Sequence, residues 1–274
     1  MPIGMSKQAW FNNESRIPWT PAEENYVWDW YDASAISGLS NGDQVDSWSN
    51  LISEGRPLDR NSAPGPAAPG ATGFPKYTTN VLNSLPGVLM YDTSTSTGSV
   101  INHITYGTHA YSNAGTNVVF VVATPTQTSG VGGFVLRSGH FTLETNRTAG
   151  KMSVAYWNGS FGTAQYGTST LSANQPILGC GFWDVANQTR YLRMNGATES
   201  TVGSLGTWTY NISSAFVVGG NAYGQWNRSY IHEIIVVNQS MSFSEIEKVE
   251  GYLAHKWGIE SYLSSSHPYK NSAP

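Results

Sequence analysis

The sequence predicts an all-β antiparallel sandwich that ends in one amphipathic helix. From about residue 80 onward, short runs of β-branched and aromatic residues alternate with turn residues at the spacing of strands. No helical period separates these runs, which disfavours β-α-β units and a parallel sheet. One helical pattern follows near the C-terminus, between Ser242 and Gly258.

The clearest strand signal is Asn117–Ala123, which is almost continuously apolar and β-branched. Such a run predicts a central strand buried on both faces. Asn195-Gly196 predicts a hairpin turn, because both residues tolerate positive φ. The other predicted strands are Phe134–Leu136, Phe141–Thr145, Met152–Trp157, Ile177–Trp183, Arg190–Met194, Ala215–Val218 and Tyr230–Val237.

The helix is predicted over about residues 242–257. Ser242 and Glu245 have the spacing of a capping box, in which each side chain bonds the backbone of the other end. Gly258 stands where a left-handed glycine ends a helix. One apolar face, expected to pack on the sandwich, is formed by Ile246, Val249, Leu253 and Trp257.

Two regions are predicted along the chain, an N-terminal arm over 1–26 and one sandwich over 27–274. The arm holds Trp10, Phe11 and Trp19, which we expect to anchor it either on its own sandwich or on a partner. Residues 61–75 are rich in proline and glycine, and we expect a long surface loop there. A domain boundary is disfavoured because the preceding segment is too short to own a core.

Composition narrows the classes of partner. Only 12% of the 274 residues are charged and the net charge is −4, with no basic tract longer than two residues, so nucleic acid is not expected. No apolar run reaches the ~20 residues of a membrane span. The N-terminus lacks the pattern of a secretory signal. The sequence has one cysteine, Cys180, which is expected to be a buried apolar residue.

Several segments together resemble the laminin-G-like members of the concanavalin-A-like superfamily, in their bacterial and phage subgroup. The resemblance implies a two-sheet jelly roll over about residues 27–270 and no particular function. The segments that carry it are Tyr31–Ser34, Asn41–Asp43, Trp48, Leu85–Val88, Val217–Gly220, Ile231–Asn238, Met241–Ile246, Glu250–Gly258 and Ser266–Lys270.

Catalytic residues are not expected. Glycoside hydrolysis needs two carboxylates close together, and the only acidic residues at i and i+2, Glu245 and Glu247, lie on the helix. Glu144 and Glu233 are each the lone acid of a predicted strand, and Glu233 is expected to hold the last strand by hydrogen bonds. No two histidines have zinc-site spacing.

Two kinds of binding site are candidates. Structural calcium at a loop rim would use loop carboxylates such as Asp43 and Asp46, although no ordered ligand run is present. A sugar site needs an aromatic platform with amides and a guanidinium nearby. One predicted loop supplies all of them, through Tyr223, Gln225, Trp226, Asn227 and Arg228, with Trp157-Asn158 and Trp208–Tyr210 as second choices.

These observations favour a non-enzymatic bacteriophage virion protein, a capsid-decoration or fibre-associated sandwich that binds other virion proteins and, as a further option, surface polysaccharide. The alternative is a bacterial carbohydrate-binding or adhesion module at the cell surface. A glycoside hydrolase or lyase is the third class. The alternative for the aromatic residues of the sugar-site loop is a place in the core or at an interface, and homo-oligomerisation is left open.

Overall fold

The computed structural model of the chain describes residues 19–52, 55–59, 75–92, 97–98, 101–104, 117–128, 132–137, 141–145, 150–156, 164–184, 187–204, 215–220 and 228–274. These residues form two large antiparallel sheets, two short strand pairs and one C-terminal α-helix, so the predicted two-sheet antiparallel jelly-roll sandwich is confirmed. Short 3-10 helices are Pro21–Glu23, Ala33–Ala35 and Glu260–Tyr262.

The larger sheet has eight strands in the described residues. β18 (Ser229–Val237) is central, because it pairs with β9 (Asn117–Pro125) on one side and with both β1 (Val27–Asp32) and β5 (Leu85–Leu89) on the other. In spatial order its strands are β16 (Ala197–Val202), β15 (Thr189–Met194), β14 (Ile177–Asp184), β9 (Asn117–Pro125), β18 (Ser229–Val237), β5 (Leu85–Leu89) and β4 (Lys76–Leu82), with β1 (Val27–Asp32) beside β18.

The smaller sheet has six strands in the described residues: β13 (Gln165–Tyr166), β12 (Met152–Tyr156), β11 (Phe141–Thr145), β10 (Gly132–Arg137), β17 (Ala215–Val218) and β8 (Ile101–Ile104). Two further pairs are β2 (Ser47–Trp48) with β3 (Leu58–Asp59), and β6 (Tyr91–Asp92) with β7 (Thr97–Gly98).

β9 shows why the molecule has three layers. All nine of its residues are buried, as its apolar sequence predicts. Val119 and Val121 pack between the two sheets, whereas Val118 and Phe120 face the helix. Because successive side chains of a strand point to opposite faces, one continuous apolar run serves two separate cores.

The helix α1 runs from Phe243 to Trp257 and closes the second core. The Ser242–Glu245 capping box is present, and Gly258 ends the helix in the left-handed conformation at φ 64°. Both features were predicted from sequence. None of the helices in the described ranges is long and apolar enough to span a membrane.

The C-terminal tail is attached to a hairpin turn that the sequence predicts. Asn195 and Gly196 have φ of 52° and 74°, as a hairpin between β15 and β16 requires. The backbone of Asn195 accepts a bond from Ser264 N at 3.0 Å, which fastens the segment after the helix to this hairpin. Cys180 is buried beneath the helix as predicted, and burial raises the pKa of its thiol.

Trp19 is the one predicted anchoring residue that the structure describes; Trp10 and Phe11 lie outside the described residues. Its ring is buried and meets Tyr252 edge-on, with 5.7 Å between centroids. Its Nε1 donates to Glu24 at 2.8 Å, and Lys248 Nζ lies 4.6 Å from the ring centroid. Of the two placements expected, Trp19 takes the one on its own sandwich, against the helix.

Candidate functional site

Arg228 is the described member of the predicted sugar-binding loop; Tyr223, Gln225, Trp226 and Asn227 lie outside the described residues, as do the second-choice segments 157–158 and 208–210. Its Nη1 donates to Gln127 Oε1. Its carbonyl oxygen accepts bonds from the backbone N and the Oγ1 of Thr126, at 2.7 and 3.0 Å. The guanidinium is therefore held at the end of the larger sheet, where β9 ends and β18 begins.

Directly beyond Arg228, a row of side chains crosses the face of the larger sheet that carries the helix. The register aligns Lys76 with Leu89, Leu89 with Tyr230 and Tyr230 with Thr124. Lys76, Leu89 and Tyr230 are partly exposed, whereas Thr124 is buried. We call the row of Lys76, Leu89, Tyr230 and Thr124, together with Arg228 and Gln127, the rim platform.

A β-bulge at His232 decides which residues share this face. Ile231 pairs with Ala123 and Glu233 with Val122, so His232 is the extra residue. Ile231 faces the core between the sheets. His232 and Glu233 both face the helix, where the His232 ring lies 5.1 Å from that of Trp257. Tyr230 therefore lies on the same face, beside the C-terminal end of the helix.

His232 is a buried neutral support beneath the platform. Its Nδ1 donates to the Pro86 carbonyl at 3.0 Å, so its Nε2 accepts from Thr124 Oγ1 at 2.9 Å. Burial lowers the pKa of His232 to about 4, against the opposing effect of the Pro86 bond. Both ring nitrogens are satisfied by the neutral form, which fits a structural role for this histidine.

We predict that His232 makes the protein less stable in acid. Its pKa is near 6.5 when unfolded and about 4 when folded, so the unfolded chain binds its proton first as the pH falls. The free energy of unfolding should be unaffected by this residue above pH 6.5 and should fall by about 3 kcal/mol towards pH 4. Urea denaturation of wild type and His232→Gln at several pH values between 7 and 4 measures this. The prediction is contradicted if the free energy of unfolding changes with pH by the same amount in both proteins.

A second polar cluster lies under the helix and is closed to solvent. Asp32 pairs with Glu233 across β1 and β18, and Lys256 Nζ lies 2.8 Å from Asp32 Oδ2 and 2.5 Å from Glu233 Oε2. The indole nitrogens of Trp30 and Trp257 each donate to Glu233 at 2.6 Å. Burial raises the pKa of Glu233 to about 7 in spite of Lys256, which acts to lower it. We call Asp32, Lys256 and Glu233 the buried triad.

Two members of the buried triad, Asp32 and Glu233, are carboxylates that lie close together. A search of the sequence for acids at i and i+2 misses them because they come from different strands. The side chains of the triad are at most 2% exposed, and Lys256 occupies the space between the carboxylates. A substrate has no access to it. Glu233 thus fastens the last strand by hydrogen bonds, as the sequence predicts.

A third cluster joins the helix to β15. Arg193 binds Glu250 with two parallel bonds, Nε to Oε1 at 2.9 Å and Nη2 to Oε2 at 2.8 Å. His267 Nε2 lies 3.2 Å from Glu250 Oε2. Burial acts to lower the pKa of Arg193, but the bonds and the charge of Glu250 outweigh it and raise the pKa. Arg193, Glu250 and His267 are also buried, so we assign them a structural role and not a role in ligand binding.

The outer face of the smaller sheet carries a fourth polar cluster. Phe141 and Leu143 of β11 face the core, so Thr142 and Glu144 point away from it. Glu144 aligns with Ser153 of β12, whose Oγ donates to Glu144 Oε1 at 3.3 Å. Because Glu144 and Ser153 have no exposed surface, they offer no contact to a large ligand.

The predicted calcium residues lie in an exposed turn. Asp43 Oδ2 accepts a bond from Ser40 N at 2.7 Å, and Asp46 is exposed without a neighbouring acid or histidine cluster. Within the residues described, no group of three or more His, Cys, Asp or Glu side chains could hold a metal ion. Structural calcium stays a prediction.

Sequence reasoning found Arg228 and missed the rest of the rim platform. Arg228 and Tyr230 stand at i and i+2 at the start of a predicted strand, which was a usable signal for a shared face. The sequence carries no signal that places Lys76 and Leu89 on this face, because only the register of β4, β5 and β18 brings them beside Tyr230.

No protein-family model matches the chain, and no curated protein matches its sequence. Solved structures share part of the arrangement at low identity. A CBM40 of Ruminococcus gnavus IT-sialidase bound to α2,3-sialyllactose is 16% identical over 47% of this chain and 79% of that one, with a TM-score of 0.41. A SAP-like pentraxin from Limulus polyphemus is 14% identical over 49% and 69%, with a TM-score of 0.42.

Domain 4 of AbnA, a GH43 extracellular arabinanase from Geobacillus stearothermophilus in complex with arabinotriose, is 12% identical over 80% of this chain and 96% of that one, with a TM-score of 0.49. Identities and TM-scores this low carry no information about function, so only the residues of this chain bear on its function. The resemblance to the phage laminin-G subgroup stays a prediction.

Proposed function

We propose that the chain is a non-catalytic glycan-binding domain and that the rim platform is its binding site. The observation that carries this proposal is the row itself. It places a partly exposed residue with a phenol ring, Tyr230, beside an aliphatic one, Leu89. Arg228, two residues before Tyr230 in the chain, binds the side-chain amide of Gln127. A pyranose offers an apolar face to a ring and hydroxyls to polar groups at its edge.

The other polar clusters do not compete for this role. The buried triad and the Arg193–Glu250 pair are sealed between the helix and the larger sheet, and each of their charged groups has an oppositely charged neighbour within the protein. Glu144 and Ser153 have no exposed surface. The rim platform, in contrast, combines exposure with a mixed apolar and polar character, which is typical of small-ligand sites.

This is the carbohydrate-binding alternative that the sequence left open. A place in a virion, attachment to other virion proteins and homo-oligomerisation stay predictions, and the residues of the platform do not bear on them. The absence of catalysis is likewise part of the proposal.

A glycan-array screen of the purified chain, followed by calorimetric titration of each hit, tests the proposal. Tyr230→Ala should weaken binding about tenfold or more, because the stacking surface is lost. Phe243→Ala is the matched control, since Phe243 is 43% exposed and begins the helix, at the end opposite Trp257. Binding that both variants retain, or a blank array from folded protein, would overturn the proposal.

A further inference from the structure

We infer that the rim platform binds a linear β-1,4-linked glycan that lies across the strands of the larger sheet over about three sugars, and that Gln44 contacts the outermost of these sugars. This inference rests on the proposed function and deepens it, because it names the shape and linkage of the ligand. A glycan that is recognised only through one terminal sugar would not need a row of side chains.

Gln44 extends the row of the rim platform by one member. It forms an antiparallel bridge with Lys76, on the side of β4 that faces away from β5. Two backbone bonds of 2.9 Å flank this bridge, from Val45 N to the Pro75 carbonyl and from Tyr77 N to the Asp43 carbonyl. Gln44 therefore takes the next place in the row after Lys76, and it is exposed.

The whole row, from Gln44 to Thr124, points away from the core between the two sheets. Each member has a chain neighbour that packs in this core, and successive side chains of an extended chain point to opposite faces. These neighbours are Val45, Tyr77, Val88, Ile231 and Ala123. The row is thus one line of side chains on one face, although its members come from five segments of the chain.

The row is open at one end and closed at the other. Thr124 is buried, and its Oγ1 is bonded to His232 Nε2 at 2.9 Å. In the opposite direction from Tyr230, Leu89 and Lys76 are partly exposed and Gln44 is exposed. A ligand that stacks on Tyr230 can therefore extend towards Gln44, whereas the row offers it almost no surface towards β9.

The spacing of the row suits an extended glycan. Neighbouring strands lie about 4.8 Å apart, so three spacings place Gln44 about 14 Å from Tyr230. A β-1,4-linked pyranose chain advances by nearly the same distance for each sugar, whereas an α-1,4-linked chain curves away from a straight line. Successive sugars of the β-linked chain can therefore meet successive strands.

The chemistry of the row suits the same ligand. Tyr230 and Leu89 offer apolar surface to the faces of the sugar rings. Lys76 adds its aliphatic stem, and its charge is not required. The amide of Gln44 can both donate to and accept from hydroxyl groups at the outer end.

The dependence of affinity on chain length tests the inference. Calorimetric titrations use cello-, xylo-, manno- and chito-oligosaccharides of one to six sugars, with malto-oligosaccharides as the α-linked counterpart of the cello series. In at least one β-1,4-linked series, affinity should rise about tenfold or more from one sugar to three and then stay constant. Full affinity for a single sugar, malto-oligosaccharides that bind as tightly as the best β-linked series, or array hits confined to other glycans would overturn the inference and leave the proposed function standing.

Gln44→Ala should lower the affinity for the trisaccharide about fivefold and leave that for the disaccharide unchanged, because one amide contact at the outer end is lost. The backbone bridge to Lys76 does not depend on this side chain. Gln239→Ala is the matched control and should change neither affinity, since Gln239 is exposed and follows the opposite end of β18. A Gln44→Ala protein that binds every length as wild type does, or is weakened equally for all, would overturn the inference alone. No binding in any series together with a blank array would overturn both proposals.

Discussion

Lys256→Met is expected to lower the free energy of unfolding by about 3–5 kcal/mol. The substitution leaves Asp32 and Glu233 buried, adjacent and without their shared cation. Methionine keeps most of the length and the apolar stem of lysine, so the loss of stability measures the effect of removing the charge. Chemical denaturation at pH 8 measures it, and the loss should shrink at pH 5 because proton uptake by Glu233 relieves the repulsion.

The helix supplies a matched control for this variant. Lys248 lies on the same helix and pairs with Glu24 at 3.4 Å, but its side chain is 33% exposed. Lys248→Met should therefore cost no more than about 1 kcal/mol. Adding Asp32→Asn and Glu233→Gln to Lys256→Met should recover part of the loss, because it removes both charges but leaves one indole N–H of Trp30 or Trp257 without an acceptor. A Lys256→Met protein as stable as wild type would refute the structural role of the triad.

Arg193→Met is expected to have a loss of similar size, about 3–5 kcal/mol, at the other end of the helix. It removes both bonds to the Glu250 carboxylate, whose side chain is 1% exposed and keeps only the contact with His267 Nε2 at 3.2 Å among those described, and it removes the bond from Nη2 to the Gly196 carbonyl. The change should appear as a lower midpoint in thermal and chemical denaturation.

Two further variants test whether the loss of stability in Arg193→Met comes from the charge of Glu250. Arg193→Lys keeps the charge but cannot form the two parallel bonds, so its loss should be intermediate. Combining Arg193→Met with Glu250→Leu removes the stranded charge and should be more stable than Arg193→Met alone. If the double variant is no better than the single one, the loss comes from packing and not from the carboxylate.

Features governed by neighbouring residues could be predicted from the sequence. The Ser242–Glu245 cap, Gly258 and the Asn195-Gly196 turn each depend on a few consecutive residues. The burial of β9 also follows, because a continuous apolar run has no polar face to expose.

Features that depend on register could not be predicted. Asp32 and Glu233 are 201 residues apart in the chain, and only the pairing of β1 with β18 sets them side by side. The bulge at His232 turns both His232 and Glu233 towards the helix, whereas simple alternation would separate them. The rim platform was missed for the same reason, since its row follows from three strand pairings.

The position of β18 sets the order in which the molecule can be completed during synthesis. This strand is made late, yet it lies in the middle of the larger sheet, between β9 on one side and β1 and β5 on the other. The helix that covers the sheet is made later still. A ribosome must therefore release most of the chain before β1, β5 and β9 can pair with β18, and completion of this sheet must wait for contacts between distant parts of the sequence. Chains that terminate early would present unpaired strands and uncovered apolar surface, the features that favour aggregation.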